Sequence, residues 1–155
     1  MLTRGRRLGV DVGKVRVGVA LSDPDGILAT PLVTIPRDLT QDEGTAADSV
    51  PADIAELVRL VGEHEAVQIV VGLPVRLNGA EGPAAADIRG YAQRLASAVG
   101  PVPIVLTDER MSTVVATRRL AERGVRGKRQ RAVVDQAAAV EILQSWLDAQ
   151  RWQTR

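Results

Sequence analysis

Residues 7–22 read RLGVDVGKVRVGVALS, and this stretch decides the fold of the chain. Its two halves, residues 7–12 and 16–22, are rich in Val and Gly and are typical of β-strands. Only a tight turn at residues 13–14 separates them, so the pattern predicts a β-hairpin. The first strand carries Asp11 between two valines. A carboxylate buried in a strand is costly unless it is paired or binds a metal ion, so Asp11 is the first candidate functional residue.

Beyond the hairpin, the sequence predicts strands that alternate with helices. The predicted elements are a strand at 28–35, a helix from Pro51, a strand at 66–73, a helix ending near Val99, a strand at 101–107, a helix at 112–123 and a last helix at 133–151. We expect the acidic segment 37–50 to be a mobile loop and the basic segment 125–131 to be a second loop. The order β-β-β-α-β-α-β-α-α predicts an α/β fold in which helices flank a five-stranded mixed sheet. The 155 residues suffice for one domain, expected to span 1–155.

Composition excludes several classes of site. The chain has no Cys, which rules out disulfide scaffolds, thiolate metal sites and a cysteine nucleophile. His64 is the only histidine, so one chain cannot supply a zinc site built on two or three imidazoles. The apolar runs are too short to span a membrane, and the first residues contain no apolar signal-peptide region. We therefore expect a cytoplasmic protein without a membrane partner.

Three acidic residues are candidates for both catalysis and metal binding: Asp11, Glu109 and Asp135. Glu109 follows the strand predicted at 101–107, and ligands of such sheets bind at the carboxyl ends of strands. Asp135 lies in the first turn of the predicted last helix, on its apolar face. Each acid also has a structural interpretation. Asp11 could accept hydrogen bonds from the backbone at the turn. Glu109 and Asp135 could instead stabilise helices by lying near their positive N-terminal ends.

If the three carboxylates converge, they require a cation, because like charges raise one another's pKa. Hard oxygen ligands select Mg²⁺ or Mn²⁺. Two such ions roughly 4 Å apart can activate a water and hold the leaving oxygen of a phosphodiester. The residues alone leave open whether one ion or two would bind. This chemistry needs neither His nor Cys, which agrees with what the chain lacks.

Basic residues cluster on both sides of the acids. Residues 118–131 contain seven cations and one anion, a net charge of +6 in a chain whose total is +1. A second basic cluster surrounds Asp11. Such clusters are often only solvated faces, but beside the acids they favour phosphate contacts with nucleic acid. The candidate substrate-binding residues are Lys14, Arg16, Arg110, Ser112, Thr113, Arg126, Lys128, Arg129 and Arg131. Ser112 and Thr113 are at the same time the natural caps of the helix predicted there.

Four motifs in order resemble the YqgF/RuvX family, small bacterial proteins with an RNase H-like fold. They are GVDVGKVRVGVALSD at 9–23, VVGLP at 70–74, TDERMST at 107–113 and VDQAAAVEILQSWL at 134–147. The second motif, with the Asn-Gly that follows it, reads as a glycine-containing turn that could let a substrate backbone approach. The resemblance runs from Leu8 to Leu147. Each motif alone is modest, but four in order are highly specific.

The resemblance implies a metal-dependent cytoplasmic nuclease of structured RNA or DNA. The family is described both as the nuclease that processes the 5′ end of precursor 16S rRNA and as a Holliday junction resolvase. Its acidic positions match Asp11, Glu109 and Asp135, and basic positions match Arg16 and Arg110. Two departures are the acidic loop at 37–50 and Ser112 where Thr is common.

Several alternatives stay open at this stage. The partner could be precursor rRNA or branched DNA, the protein could be a monomer or a homodimer, and cleavage could be endonucleolytic or exonucleolytic. A non-catalytic nucleic-acid-binding module is the alternative to an enzyme, although the retained acids count against it. The DVG hairpin also resembles the phosphate loop of actin-like ATPases, but those proteins need two such domains to enclose ATP.

Overall fold

A computed structural model describes residues 3–39, 50–76, 78–109 and 128–153, with only the backbone described at 128–133 and 152–153. Its strands are β1 (Arg7–Val12), β2 (Arg16–Ser22), β3 (Ala29–Pro36), β4 (Gln68–Leu73) and β5 (Ile104–Asp108). The helices of the described ranges are α1 (Ala52–His64), α2 (Pro83–Val99) and α3 (Lys128–Gln153). None of these helices is long and apolar enough to cross a lipid bilayer.

The five strands form one mixed sheet in the order β3-β2-β1-β4-β5. β2 pairs antiparallel with both β1 and β3, which confirms the predicted hairpin. β4 lies parallel to β1 on one side and to β5 on the other. Parallel neighbours need crossover connections, and α1 and α2 lie in the segments that make them. The α/β class and the five-stranded mixed sheet are therefore confirmed, and the carboxyl ends of β1, β4 and β5 meet at one edge.

The two faces of the sheet bury separate apolar clusters. One cluster lies under α1 and α2, where Val10 of β1 packs with Leu57 and Leu95. The other lies under α3, where Leu143 packs with Val70 of β4. Because successive residues of a strand point to opposite faces, the valines and leucine of β1 face the first cluster. The alternate positions of β1, including Asp11, belong to the face covered by α3.

The structure corrects the predicted start of the last helix. α3 begins at Lys128, so residues 128–131 are helical and not part of a basic loop. Lys, Arg and Gln are good helix formers, and their charge therefore does not mark a loop. Asp135 lies seven residues after Lys128, in the third turn of α3 and not in its first.

Smaller corrections concern β3, β4 and β5. β3 is shifted by one residue from the predicted 28–35. β4 starts at Gln68 because the amide of Ala66 still donates to the Val61 carbonyl at the end of α1. β5 starts at Ile104, directly after Pro103, because proline has no amide hydrogen to donate to a ladder.

Part of the segment predicted to be a mobile loop is held in place. The Arg37 guanidinium donates hydrogen bonds of 2.7 and 2.8 Å to the Asp87 carboxylate of α2, and one of 3.0 Å to the carbonyl of Gly13. Asp38 accepts a hydrogen bond of 2.9 Å from the amide of Ala52 at the start of α1. Residues 40–49, the predicted helix at 112–123 and residues 125–127 of the basic segment lie outside the described ranges.

Candidate active site

The three candidate acids are all buried and lie at one edge of the sheet. The exposed fraction is 2% for Asp11, 7% for Glu109 and 4% for Asp135. Asp11 belongs to the central strand β1, Glu109 follows directly after β5, and Asp135 projects from α3. The alternative role of Asp135, as an acid that stabilises the positive end of a helix, is excluded, since the field of a helix end fades within the first turn. Buried carboxylates of this kind are expensive to keep without partners or a cation.

Glycine in β2 allows α3 to bring Asp135 down onto the sheet. Gly18 lies directly opposite Asp11 in the β1–β2 ladder. A Cβ atom at position 18 would lie 2.2 Å from the carbonyl oxygen of Asp135 and 3.2 Å from its Cβ. No residue larger than glycine fits under the helix there without displacing it. Gly18 therefore sets the height at which α3 holds Asp135 beside β1.

Two further glycines complete this close contact between α3 and the sheet. A Cβ at Gly9 would lie 2.6 Å from the Cβ of Leu143, and one at Gly72 would lie 2.6 Å from Cδ1 of Ile142. The same Cβ at Gly72 would lie 3.2 Å from Oε2 of Glu109. Gly72 is thus a strand residue under α3 and beside Glu109, in addition to preceding the predicted turn.

Neither Gly9 nor Gly18 stands out in the sequence as functional. A signal for them does exist, because glycine weakens a strand interior and often marks a place where another backbone comes close. What the sequence does not contain is the identity of the approaching element. That element is α3, more than a hundred residues further along the chain.

The strand register places Asp135 on one side of Asp11 and Glu109 on the other. Gly18 flanks Asp11 on β2 and lies under Asp135. Since Val10 pairs with Val71, Gly72 flanks Asp11 on β4, and a Cβ atom added at Gly72 would lie 3.2 Å from Oε2 of Glu109. Neighbouring strands are about 4.8 Å apart, so the three acids are distributed over roughly 10 Å.

These acids suit a hard divalent cation in kind. All three supply carboxylate oxygens, the donors that Mg²⁺ and Mn²⁺ prefer. Within the described ranges, however, no group of three or more His, Asp or Glu side chains is gathered closely enough to hold an ion. The donor chemistry and the placement at one edge thus suit such an ion, although the described carboxylates are not gathered around one point.

Arg16 was predicted to bind substrate, and the structure gives it a carboxylate partner. Its Nε donates a 2.7 Å hydrogen bond to Oδ2 of Asp135. The side chain of Arg16 is 23% exposed and that of Asp135 only 6%, so the ion pair lies at the boundary between the interior and solvent. The pair connects the first residue of β2 to the third turn of α3.

The other predicted substrate-binding residues are only partly described. Lys14 is exposed at the hairpin turn, beside the end of β1. Lys128, Arg129 and Arg131 lie in the first turns of α3, and their helical spacing places Lys128 and Arg131 on the same face as Asp135. The remaining candidates lie outside the described ranges: Arg110, Ser112, Thr113 and Arg126.

A cavity of about 180 Å³ lies away from the acids, where α1, α2 and the end of β3 meet. Tyr91, Arg37 and Asp87 are among its lining residues. Burial raises the pKa of the Tyr91 hydroxyl, and the nearby Asp53 carboxylate raises that pKa further. The hydrogen bonds from Arg37 lower the pKa of Asp87. None of the three acids at the sheet edge borders this cavity, so it is not part of the candidate active site.

The chain is similar to known proteins over almost its whole length. The family model described as "RuvX: Holliday junction resolvase" matches residues 5–149. A Rhodococcus erythropolis protein named "Putative pre-16S rRNA nuclease" is 53% identical over 145 residues, covering 94% of this chain and 78% of that protein. A Mycobacterium ulcerans protein of the same name is 54% identical over 148 residues, covering 96% of this chain and 81% of that one.

A solved structure shares the fold at much lower sequence identity. The structure of T. thermophilus RuvC in complex with a Holliday junction substrate gives a TM-score of 0.52 at 16% identity. The match covers 95% of this chain and 96% of that one. The mixed sheet flanked by helices therefore has the same fold as that structure.

Proposed function

The chain belongs to the RuvX family, and on that premise we propose that it is a nuclease that hydrolyses phosphodiester bonds of structured nucleic acid. Its proposed main activity is processing of the 5′ end of precursor 16S rRNA, which its relatives' name indicates. A protein that acts on ribosome precursors works in the cytoplasm, where we infer that this chain acts.

One observation carries the proposal. Three carboxylates, each more than nine-tenths buried, lie at one edge and on one face of the sheet. The glycines beneath α3 weaken their strands, but they let α3 approach the sheet closely enough to bring Asp135 to the same edge as Asp11. A merely structural acid does not need this arrangement. The resemblance to the family, whose acidic positions match these same three residues, supports the proposal.

We propose that Asp11, Glu109 and Asp135 would hold one or two Mg²⁺ or Mn²⁺ ions. When bound, such an ion supplies an activated water and neutralises charge that develops on the phosphate. The protein's own contribution is positional: β1 fixes Asp11, and α3 fixes Asp135 against Gly18. Lys14, exposed beside the end of β1, is suited to a neighbouring phosphate.

Basic residues near the start of α3 are further candidates for phosphate contacts. Lys128 and Arg131 precede Asp135 by seven and four residues on the same helical face. A polyanion that follows this face would be guided towards the acids by charge alone. Contacts to phosphates carry no sequence information, so selection of the cleavage site would depend on the shape of the substrate.

A second activity, resolution of Holliday junctions, is favoured by the description of the matching family. A resolvase cuts two strands symmetrically and therefore needs two active sites related by a two-fold axis. Processing of an RNA end needs only one. The two activities thus differ in the number of cuts and in the assembly that makes them.

Cleavage assays with matched variants test the proposal. Purified protein would be incubated in Mg²⁺ or Mn²⁺ with 5′-extended 16S precursor RNA and with a synthetic four-way DNA junction. We expect cutting of the RNA by the wild type, loss of cutting in Asp11→Asn, and full activity in Asp25→Asn. Asp25 is a suitable control because its carboxylate is 59% exposed and pairs with Arg4, away from the site.

The outcomes separate the candidate functions. Paired symmetric nicks in the junction, without cutting of the RNA, would assign the resolvase activity instead. Tight binding without metal-dependent cutting of either substrate would contradict the nuclease proposal and favour a binding module.

A further inference from the structure

Arg16 and a divalent ion would have to share the same carboxylate. The Arg16 Nε lies 2.7 Å from Oδ2 of Asp135, and the Asp135 side chain is only 6% exposed. Both members of this ion pair are mostly shielded from solvent, so salt and water screen their attraction less than that of a surface pair. Asp135 is also one of the three acids assigned to the proposed metal site. Its carboxylate thus faces two possible cationic partners.

The Arg16 guanidinium and a divalent ion bound to Asp135 would repel each other. A doubly charged ion on Asp135 would lie within a few ångströms of the Arg16 guanidinium, and two positive charges at that distance repel. Ion binding therefore weakens the bond between Arg16 and Asp135. By thermodynamic linkage, that bond weakens ion binding by the same factor.

We propose that Arg16 is a metal-gated phosphate-binding residue. It pairs with Asp135 until a divalent ion takes that carboxylate, and its guanidinium then turns to a phosphate of the bound nucleic acid. The proposal rests on the nuclease function proposed above and assigns the order of its steps. The site would therefore bind a metal ion before Arg16 binds a phosphate of the substrate.

The local structure suits this exchange. The backbone of Arg16 is fixed, because its carbonyl accepts a 2.8 Å hydrogen bond from the amide of Gly13 across the hairpin turn. The side chain is 23% exposed, so a rotation about its own bonds can bring it to the surface. The planar guanidinium matches the geometry of a phosphate as well as that of a carboxylate. One side chain can therefore serve both partners.

Calorimetric titration with Mn²⁺, without nucleic acid, tests the competition. Arg16→Gln removes the competing charge, so we expect it to bind Mn²⁺ about five- to tenfold more tightly than the wild type. Arg4→Gln removes an equal charge, but the Arg4 side chain is 74% exposed and pairs with Asp25, away from the site. For that control we expect a change below about twofold, because salt screens exposed charges. Unchanged or weaker binding by Arg16→Gln, or an equal gain in both variants, would overturn the proposal.

A second measurement uses the wild-type protein and does not depend on the folding of a variant. The Nε–H signal of Arg16 in a proton–nitrogen NMR spectrum can be assigned through its couplings to the side-chain carbons of the same residue. We expect Mg²⁺ to shift this signal and to speed its exchange with water, since the ion displaces the hydrogen bond to Asp135.

These measurements test the proposed role of Arg16 separately from the proposed nuclease function. An Arg16 signal that stays unchanged in Mg²⁺ while calorimetry with Mn²⁺ detects ion binding would overturn the proposed role of Arg16 alone. Absence of ion binding by the wild type in both measurements would overturn the metal-dependent nuclease together with the proposed role of Arg16.

Discussion

Substitution of Gly18 by Ala tests whether contact between α3 and the sheet positions the active site. The added Cβ would lie 2.2 Å from the carbonyl oxygen of Asp135, and ordinary contacts begin at 3.4 Å. The obstacle is helix backbone, which cannot rotate away like the end of a side chain. α3 must therefore move by about 1.2 Å, carrying Asp135 with it. Overpacking of this kind costs about 1–3 kcal/mol of folding free energy.

The effect on activity should exceed the effect on stability. A misplacement of about 1 Å can lower a rate by roughly a hundredfold, and here the displaced group is a proposed metal ligand. We expect Gly18→Ala to melt about 2–4 °C lower for each kcal/mol lost and to retain about 1% of the cleavage rate. Thermal unfolding and single-turnover cleavage of the precursor RNA measure the two quantities.

Gly90→Ala is the matched control for this substitution. Gly90 lies within α2, and a Cβ there would meet nothing within 4 Å. Because glycine is a poor helix former, this variant should gain about 0.5–1 kcal/mol in stability and keep its activity. A Gly18→Ala protein with wild-type stability and wild-type cleavage would refute the reasoning about α3.

Three further predictions concern other parts of the molecule. Gly72→Ala should lower the cleavage rate less than Gly18→Ala, because the added Cβ mainly meets the flexible end of the Ile142 side chain. We expect a loss of about tenfold or less from a small shift of Glu109, and a complete loss of cleavage would contradict this. Asp87→Asn should lower stability by under about 1 kcal/mol at pH 7, since Asp87 is half exposed. Arg37 lowers the folded-state pKa of Asp87, so the stabilisation is present above the ordinary value of 3.8 and is lost progressively as the pH falls from there through the lowered folded-state pKa. Urea unfolding should therefore show a smaller difference from wild type at pH 3 than at pH 7. Binding of the precursor RNA should weaken steeply between 50 and 200 mM salt if phosphate contacts dominate, and salt-independent binding would contradict that assignment.

The hairpin and the sheet could be predicted from the sequence because their signals are local. Alternating valines around a tight turn specify β1 and β2, and both strands have the predicted boundaries. The burial of Asp11 followed from its position between two valines in a strand. The last helix was harder, because clustered charge was interpreted as a loop although Lys and Arg favour helices.

The contacts between distant segments could not be predicted from local patterns. Arg16 and Asp135 are separated by 119 residues, and nothing near either residue in the sequence identifies the other as its partner. The role of Gly18 likewise depends on which helix covers β2. Asp11 and Glu109 could be found because charged residues in or directly after apolar strands are unusual and costly, and Asp135 because it lies on the apolar face of the last helix.

Iron-directed cleavage of the polypeptide tests the central claim most directly. Fe²⁺ that replaces Mg²⁺ at a protein site generates hydroxyl radicals from peroxide, and these cut the backbone near the bound ion. If Asp11, Glu109 and Asp135 together hold the ion, the chain should be cut at three separate places, near residues 11, 109 and 135. Mg²⁺ should suppress all three cuts, and Asp11→Asn should abolish them. Cuts confined to one of these places, or cuts that Mg²⁺ does not suppress, would contradict a shared metal centre.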